Sequence, residues 1–156
     1  MCMNAVKTLK TSTEVKVRFS EVDSLGMVWH GNYVQYLEDA REKFGHSFGL
    51  EYLKIYALGY ITPMFDLQIR YRHPARVDDI LCVEIAYAPQ RGAKIIYDYT
   101  ITRPSDGMVI LEARSIQLFQ TKEGEFVVSK PDFIREWEED NGISFAQSGL
   151  SHGITK

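Results

Sequence analysis

Residues 19–49 read FSEVDSLGMVWHGNYVQYLEDAREKFGHSFG, and the fold turns on this stretch. Its first half has no helical period: DSLGM at 23–27 is turn chemistry, with Gly26 able to take a positive φ. In its second half Tyr33, Leu37, Ala40, Phe44 and Phe48 recur at the spacing of one helix face, with Tyr36 beside them. Asn32 stands where an N-cap belongs and Gly49 where a helix stops. Asp39 and Lys43 are spaced to pair along the outer face. A helix of about 17 residues is roughly 25 Å long, enough to cross a sheet. A loop bearing Glu21, Asp23 and His30 therefore lies just ahead of a helix N-terminus, where unpaired N–H groups and the helix dipole favour negative charge.

Outward from this stretch the period changes to two. From Glu14, EVKVRFS sets Val15, Val17 and Phe19 against Lys16 and Arg18, the pattern of a half-buried strand. Residues 50–59 connect, with room for a short helical turn. MFDLQIRYRH then alternates Phe65, Leu67, Ile69 and Tyr71 with Asp66, Gln68, Arg70 and Arg72. DILCVEIAY, KIIYDYTITR and MVILEARSIQLFQ are three further strands, joined by the turn sequences PQRGA and PSDG. KEG leads into an expected last strand, EFVVS, and PDFIREWEED into a short amphipathic helix with Phe133 and Trp137 four apart. One strand, one long helix and a run of short-linked strands predict an α+β fold with an antiparallel sheet of five to six strands. Tyr71, Tyr87, Tyr97, Tyr99 and Phe119 exceed what one helix covers, which predicts a homo-oligomer. The expected division is an N-terminal arm at 1–13, a single domain at 14–139 and a mobile tail at 140–156.

The bulk numbers fit one domain with a substantial core: 156 residues, 45% hydrophobic and 25% charged. A net charge of −3 and a pI near 5.8 give no basic footprint for nucleic acid. No apolar run reaches the roughly 20 residues of a membrane span, and the N-terminus has no secretory apolar segment. Cys2 and Cys82, the two cysteines, make no disulfide framework, so the cytoplasm is the expected compartment. His46, His73 and His152 stand in unrelated contexts, so no metal is expected, and no phosphate loop, dinucleotide fingerprint or nucleophile elbow calls for a cofactor or a serine nucleophile.

Two readings of Asp23 stand side by side. It is a turn former whose side chain bonds nearby amides, or it is a carboxylate fit to act as nucleophile or general base. His30 is a packed loop histidine or a proton-transfer group. Glu38, about two turns into the helix, is a rival carboxylate. Arg91 and Lys94 in QRGAK are a solvated turn or a clamp for a phosphorylated substrate arm. Arg70, Arg72 and Arg76 read first as a solvated face or a subunit contact.

Phe19, Asp23, Gly26, Val28, Trp29, Asn32 and Tyr33, followed by a helix, resemble the signature of hotdog-fold acyl-CoA thioesterases of the 4-hydroxybenzoyl-CoA thioesterase type. The resemblance extends through Thr62–Pro63 and YRHPARVDD to Pro131, about 115 residues of the chain. It implies a long helix wrapped by an antiparallel sheet, subunits paired as dimers that associate into tetramers, and hydrolysis of an acyl-CoA thioester without a cofactor. It implies Asp23 as the catalytic carboxylate and backbone N–H groups near Trp29 and His30 as the oxyanion donors. His30 follows Trp29 where one branch of the family has a tyrosine–histidine pair. Gly26, Val28, Asn32 and Tyr33 would shape the substrate site, and Arg91 and Lys94 would meet the CoA phosphates. One departure is Glu21, where the family often has Asp; the charge is kept and one methylene is added. The resemblance leaves open whether Asp23 attacks or activates water. It also leaves two alternatives: a thioesterase for acyl groups on carrier protein, and a non-catalytic acyl-CoA-binding hotdog protein.

Overall fold

The computed structural model describes residues 9–143 and residue 145. A sheet of five antiparallel strands runs in the order β1-β4-β5-β6-β3: β1 (Lys10–Lys16), β3 (Met64–Tyr71), β4 (Ile80–Tyr87), β5 (Lys94–Arg103) and β6 (Met108–Leu118). A two-stranded ribbon pairs β2 (Tyr60–Ile61) with β7 (Gln120–Thr121). The long helix α1 (Tyr33–Phe48) lies on one sheet face, buried through Tyr36, Leu37, Ala40 and Phe44. It ends on Gly49 at φ 72°, whose N–H bonds the Gly45 carbonyl, a conformation that a glycine reaches without Cβ strain. The short α2 (Tyr52–Ala57) follows, and α3 (Asp132–Asp140) closes the fold. This is the hotdog arrangement expected above.

The sheet faces follow from register. Val83 pairs with Ile101, Ile85 with Tyr99 and Tyr87 with Tyr97, and all six are buried beneath the helices. The opposite face carries Lys10, Glu14, Glu84, Asp98, Glu112 and Arg114, with Arg114 bonding Asp98 through two nitrogens at 2.6 and 2.8 Å. A sheet with one face packed and one wet produces the period of two seen in the sequence.

Several expectations are corrected. Strand β1 begins at Lys10, not Glu14, because Thr11 and Thr13 continue the ladder opposite Ile85 and Val83. EFVVS forms no strand; one bridge from Phe126 to Gln120 is all it contributes, and Val128 is 93% exposed. Lys43 ignores Asp39 and donates to the Ser12 carbonyl at 2.6 Å, tying α1 to β1. Tyr87, Tyr97, Tyr99 and Phe119 are covered within the chain, so among the strand aromatics cited for an oligomer only Tyr71 stays exposed. The segment from residue 140 starts inside the fold: Ile143 is 1% exposed and bonds the Glu138 carbonyl. The rest of the expected tail lies outside the described residues, apart from Phe145.

Helix α3 is held by charge as well as by apolar contact. Lys130 Nζ meets both Glu138 carboxylate oxygens at 2.9 Å, and the Tyr87 hydroxyl donates to Glu138 at 2.7 Å. Both charged side chains are 4% exposed. Trp137 Nε1 donates to the Phe48 carbonyl at 2.6 Å, joining α3 to the end of α1.

Candidate active site

The loop before α1 is a miniature hairpin. Val22 bridges Val28, the Asp23 N–H bonds the Met27 carbonyl at 2.7 Å, and the Trp29 N–H bonds the Glu21 carbonyl at 2.9 Å. Gly26, at φ 78°, makes the tip. The base of the hairpin is held by Val28 N–H to the Ala75 carbonyl at 2.9 Å and by a bridge from Met27 to Arg76. Glu21 and Trp29 are thus level, and Asp23 stands two residues, about 7 Å, further toward the tip.

Asp23 does what a turn former does: its Oδ1 accepts the N–H groups of Leu25 at 2.8 Å and Met27 at 3.3 Å. That bonding orients the side chain and leaves Oδ2 with no hydrogen-bond partner among the described residues. The side chain is exposed. The turn-former reading is thus what the structure displays, and the same bonding leaves the second carboxylate oxygen open.

A single 3-10 turn, His30–Asn32, leads into α1. Trp29 is not an available donor, because its N–H is bonded to Glu21. The N–H groups of His30 and Gly31 have no backbone partner among the described residues. These two amides, at the positive end of α1, are the oxyanion donors the geometry offers. Gly31 lets the Trp29 ring lie close over this turn: a Cβ on it would be 2.2 Å from the ring, so a larger residue would displace Trp29. His30 sits between aromatic rings, with centroids 5.1 Å from Trp29 and 6.4 Å from Tyr71. Its carbonyl accepts the Tyr71 hydroxyl at 3.0 Å.

Of the other expected substrate contacts, three build the loop instead. Val28 and Tyr33 are 6% and 3% exposed. Asn32 is the N-cap by position but makes no side-chain cap; its Nδ2 donates to the Glu21 carbonyl at 2.8 Å. The cause is its own αR backbone, set by the preceding turn, which directs the side chain back to the loop. Glu21 has a part that local patterns do not reveal. Its Oε1 accepts both the Arg18 N–H at 2.9 Å and the hydroxyl of buried Tyr36 at 2.8 Å. Burial and this anionic partner push the Tyr36 pKa well above the usual phenol range. The bond spans 15 residues, and only the docking of α1 on the loop creates it.

Arg91 and Lys94 are not brought to this loop. They lie at the β4–β5 hairpin, whereas the loop packs on residues 75–76, just before the other end of β4. The eight residues of β4 separate them by about 24 Å. Arg91 stacks on the Phe145 ring at 5.0 Å and donates to that residue's carbonyl. The arginine whose backbone bridges the loop is Arg76. Glu38 is also away from the loop: it pairs with Arg41 at 2.5 Å and borders a cavity of about 630 Å³ between α1, α2 and β5.

Residues 17–137 match the model of the thioesterase-like superfamily. YneP of Bacillus subtilis, assigned by name to the acyl-CoA thioesterases, is 28% identical over 129 residues, covering 80% of this chain and 93% of its own. The acyl-CoA thioester hydrolase YbgC of Escherichia coli is 25% identical over 97 residues, 61% of this chain and 71% of its own. Among solved structures, the 1,4-dihydroxy-2-naphthoyl-CoA thioesterase of Synechocystis superposes with a TM-score of 0.73 at 18% identity, over 82% of this chain and 94% of its own. A family match across most of the described chain, carried by the same fold, means that this protein belongs to the thioesterase-like superfamily.

Proposed function

We infer that this thioesterase hydrolyses acyl-CoA at the loop between Glu21 and Asn32. The observation that carries the reading is Asp23: its Oδ1 is held by two amides, its Oδ2 is open, and two unbonded amides, of His30 and Gly31, follow on the same loop. The thioester carbonyl would receive the His30 and Gly31 N–H groups as its oxygen gains charge. Loss of one such donor typically costs about 3–4 kcal/mol of barrier. Asp23 either adds to the carbonyl carbon, giving an anhydride and coenzyme thiolate, or takes a proton from the water that adds. On the first route water then cleaves the anhydride, and label recovered in the Asp23 carboxylate after turnover in labelled water would establish that route, with water adding at the Asp23 carbonyl. His30, exposed beside the same amides, would pass a proton to the departing thiolate.

Arg91 and Lys94, about 24 Å away along β4, would meet the CoA phosphates of substrate bound at a partner's loop. The exposed Met64, Phe65 and Tyr71 on edge strand β3 support a homodimer or homotetramer. The carrier-protein alternative needs a basic rim, and Arg72 is already paired with Glu112 at 2.7 Å. No described helix is long and apolar enough to cross a membrane. Action in the cytoplasm, where acyl-CoA is met, is part of the same proposal.

Asp23→Asn is the test. Asn keeps the carbonyl that accepts Leu25 and Met27, so the loop survives, while nucleophile and base are gone. Thiol release from acyl-CoA is expected to fall at least a hundredfold with the melting temperature unchanged. Turnover near that of the wild type would remove Asp23 from the mechanism.

A further inference from the structure

Each amide named above as an oxyanion donor is half of a peptide unit whose carbonyl points the opposite way, because a trans peptide is planar. Where the carbonyl is held, the N–H is aimed. The His30 N–H shares its plane with the Trp29 carbonyl, which accepts the Asn32 N–H at 2.8 Å as the 3-10 turn opens. The turn itself therefore fixes that donor. The Gly31 N–H shares its plane with the His30 carbonyl, and there a partner comes from outside the turn. The Tyr71 hydroxyl donates to this carbonyl at 3.0 Å, across 41 residues of sequence.

Tyr71 holds that bond from a rigid base. It stands opposite Leu111 at the end of β3, and the next two residues, Arg72 and His73, both donate their N–H groups to the Ile110 carbonyl, at 2.8 and 3.2 Å. Its ring packs on Tyr33, with centroids 5.7 Å apart, and meets the His30 ring edge-on at 6.4 Å. Tyr33 is the buried first residue of α1. The phenol thus joins the sheet to the start of the helix, yet it is 51% exposed. A bond in so open a place adds little to stability, since water takes the carbonyl when the hydroxyl is removed. Its effect on the Gly31 amide is of another kind. A donor on the carbonyl polarises the whole peptide and strengthens its N–H as a donor. It also stops the plane from tilting, which a following glycine does little to resist.

We propose that Tyr71 is a positioning residue for thioester hydrolysis: its hydroxyl, bonded to the His30 carbonyl, aims and polarises the Gly31 N–H on the other side of the same peptide. The proposal rests on the hydrolytic reading above. Tyr71 does not touch the reacting atoms and acts only through this peptide. Charge grows on the thioester oxygen as the tetrahedral intermediate forms, so a better-aimed donor raises kcat and leaves ground-state binding nearly untouched.

The test compares the full-length protein with Tyr71→Phe, which keeps the ring and removes only the hydroxyl, on a panel of aliphatic and aromatic acyl-CoAs with thiol detection. Complete loss of one oxyanion donor costs about a hundredfold or more in kcat; here the amide stays and only its aim is loosened, so the expected fall is about tenfold. KM is expected to stay within about twofold, with the melting temperature unchanged. In nitrogen–proton NMR spectra the Gly31 amide resonance is expected to shift, while those of Leu25 and Met27, bonded to Asp23, stay in place. An unchanged kcat, a loss carried by KM alone, or a Gly31 resonance that does not move would each overturn the proposal. So would a loss of kcat that tracks a lowered melting temperature and disappears on cooling, the mark of a merely structural bond. A wild type that releases CoA from none of the panel would instead overturn the hydrolytic reading, and the Gly31 resonance would still show whether the hydroxyl governs that amide.

Discussion

The Trp29 ring packs on Gly31 at the start of α1, beside the two open amides. The ring lies where a Cβ on Gly31 would be, at 2.2 Å, and a side chain can yield where a backbone cannot. Gly31→Ala is therefore expected to turn Trp29 out of place rather than to unfold the protein. The expected record is a shift of tryptophan emission, a fall in kcat of tenfold or more, and a change of about 1 kcal/mol or less in unfolding free energy by urea titration. An unchanged emission spectrum with normal kcat would show that Trp29 has no part in shaping the site. Residue types alone made Asp23, Gly26 and His30 legible, since turn chemistry is local. Glu21 was not legible in the same way, because its partner is Tyr36, one helix turn inside α1, and only packing brings that hydroxyl to 2.8 Å.

At the scale of elements, α3 depends on one buried ion pair. Lys130 and Glu138 are each 4% exposed, and Tyr87 donates to the same carboxylate. Lys130→Met strands Glu138 in a dry setting and is expected to cost about 3–5 kcal/mol of stability, read from urea unfolding. Adding Glu138→Gln to that variant removes the stranded charge and should restore most of the loss. A loss below about 1 kcal/mol in the single variant would mean that water reaches the pair. The helical periods of α1 and α3, and the alternation in β4 and β5, were plain in the sequence because each reflects one face turned to one core. EFVVS was misread for the opposite reason: its alternation is local, but among the described residues it meets a neighbouring segment only at the Phe126–Gln120 bridge. The edge place of β3 was likewise invisible, since strand order depends on which ladders form and not on what any strand contains.

For the whole molecule, two collective properties follow. Five tyrosines, at 33, 36, 87, 97 and 99, have their ionisation pushed upward, in each case mainly by burial. Tyr99 is carried to about 12 even though the Ser115 hydroxyl bonds it. In the unfolded chain these phenols ionise near pH 10. A folded pKa above the unfolded one means that the stabilisation is complete below about pH 10 and is lost as pH rises toward the folded values, because the unfolded state releases protons that the folded state retains. Urea titrations are expected to show stability falling steeply between about pH 10 and 12, with Tyr99→Phe removing part of the slope. A flat profile over that interval would contradict the burial of these rings. The second property is assembly. Phe65 is 67% exposed on edge strand β3, so in a monomer Phe65→Lys would change stability by about 0.5 kcal/mol or less. In the proposed oligomer it breaks the contact, and sedimentation is expected to fall to the mass of a single chain. Activity should fall with it, since Arg91 and Lys94 then have no partner's loop to serve. A wild type that sediments as a monomer would refute this.

The sequence by itself determined what depends on near neighbours and on repeat: the turn that holds Asp23, the span of α1 and its stop at Gly49, the α+β class, and through the motif the family. Each is a matter of backbone preference or of one periodic apolar face, and both are written within a few turns of chain. The tertiary structure alone decided which amides are open, because Trp29 loses its N–H to a carbonyl eight residues back across the hairpin. It alone placed Arg91 and Lys94 at the far end of the sheet, covered Tyr87, Tyr97 and Tyr99, and opened a chamber where α2 stands off from β5. These features are distances between segments remote in sequence, set by how whole faces pack, and no local pattern encodes them.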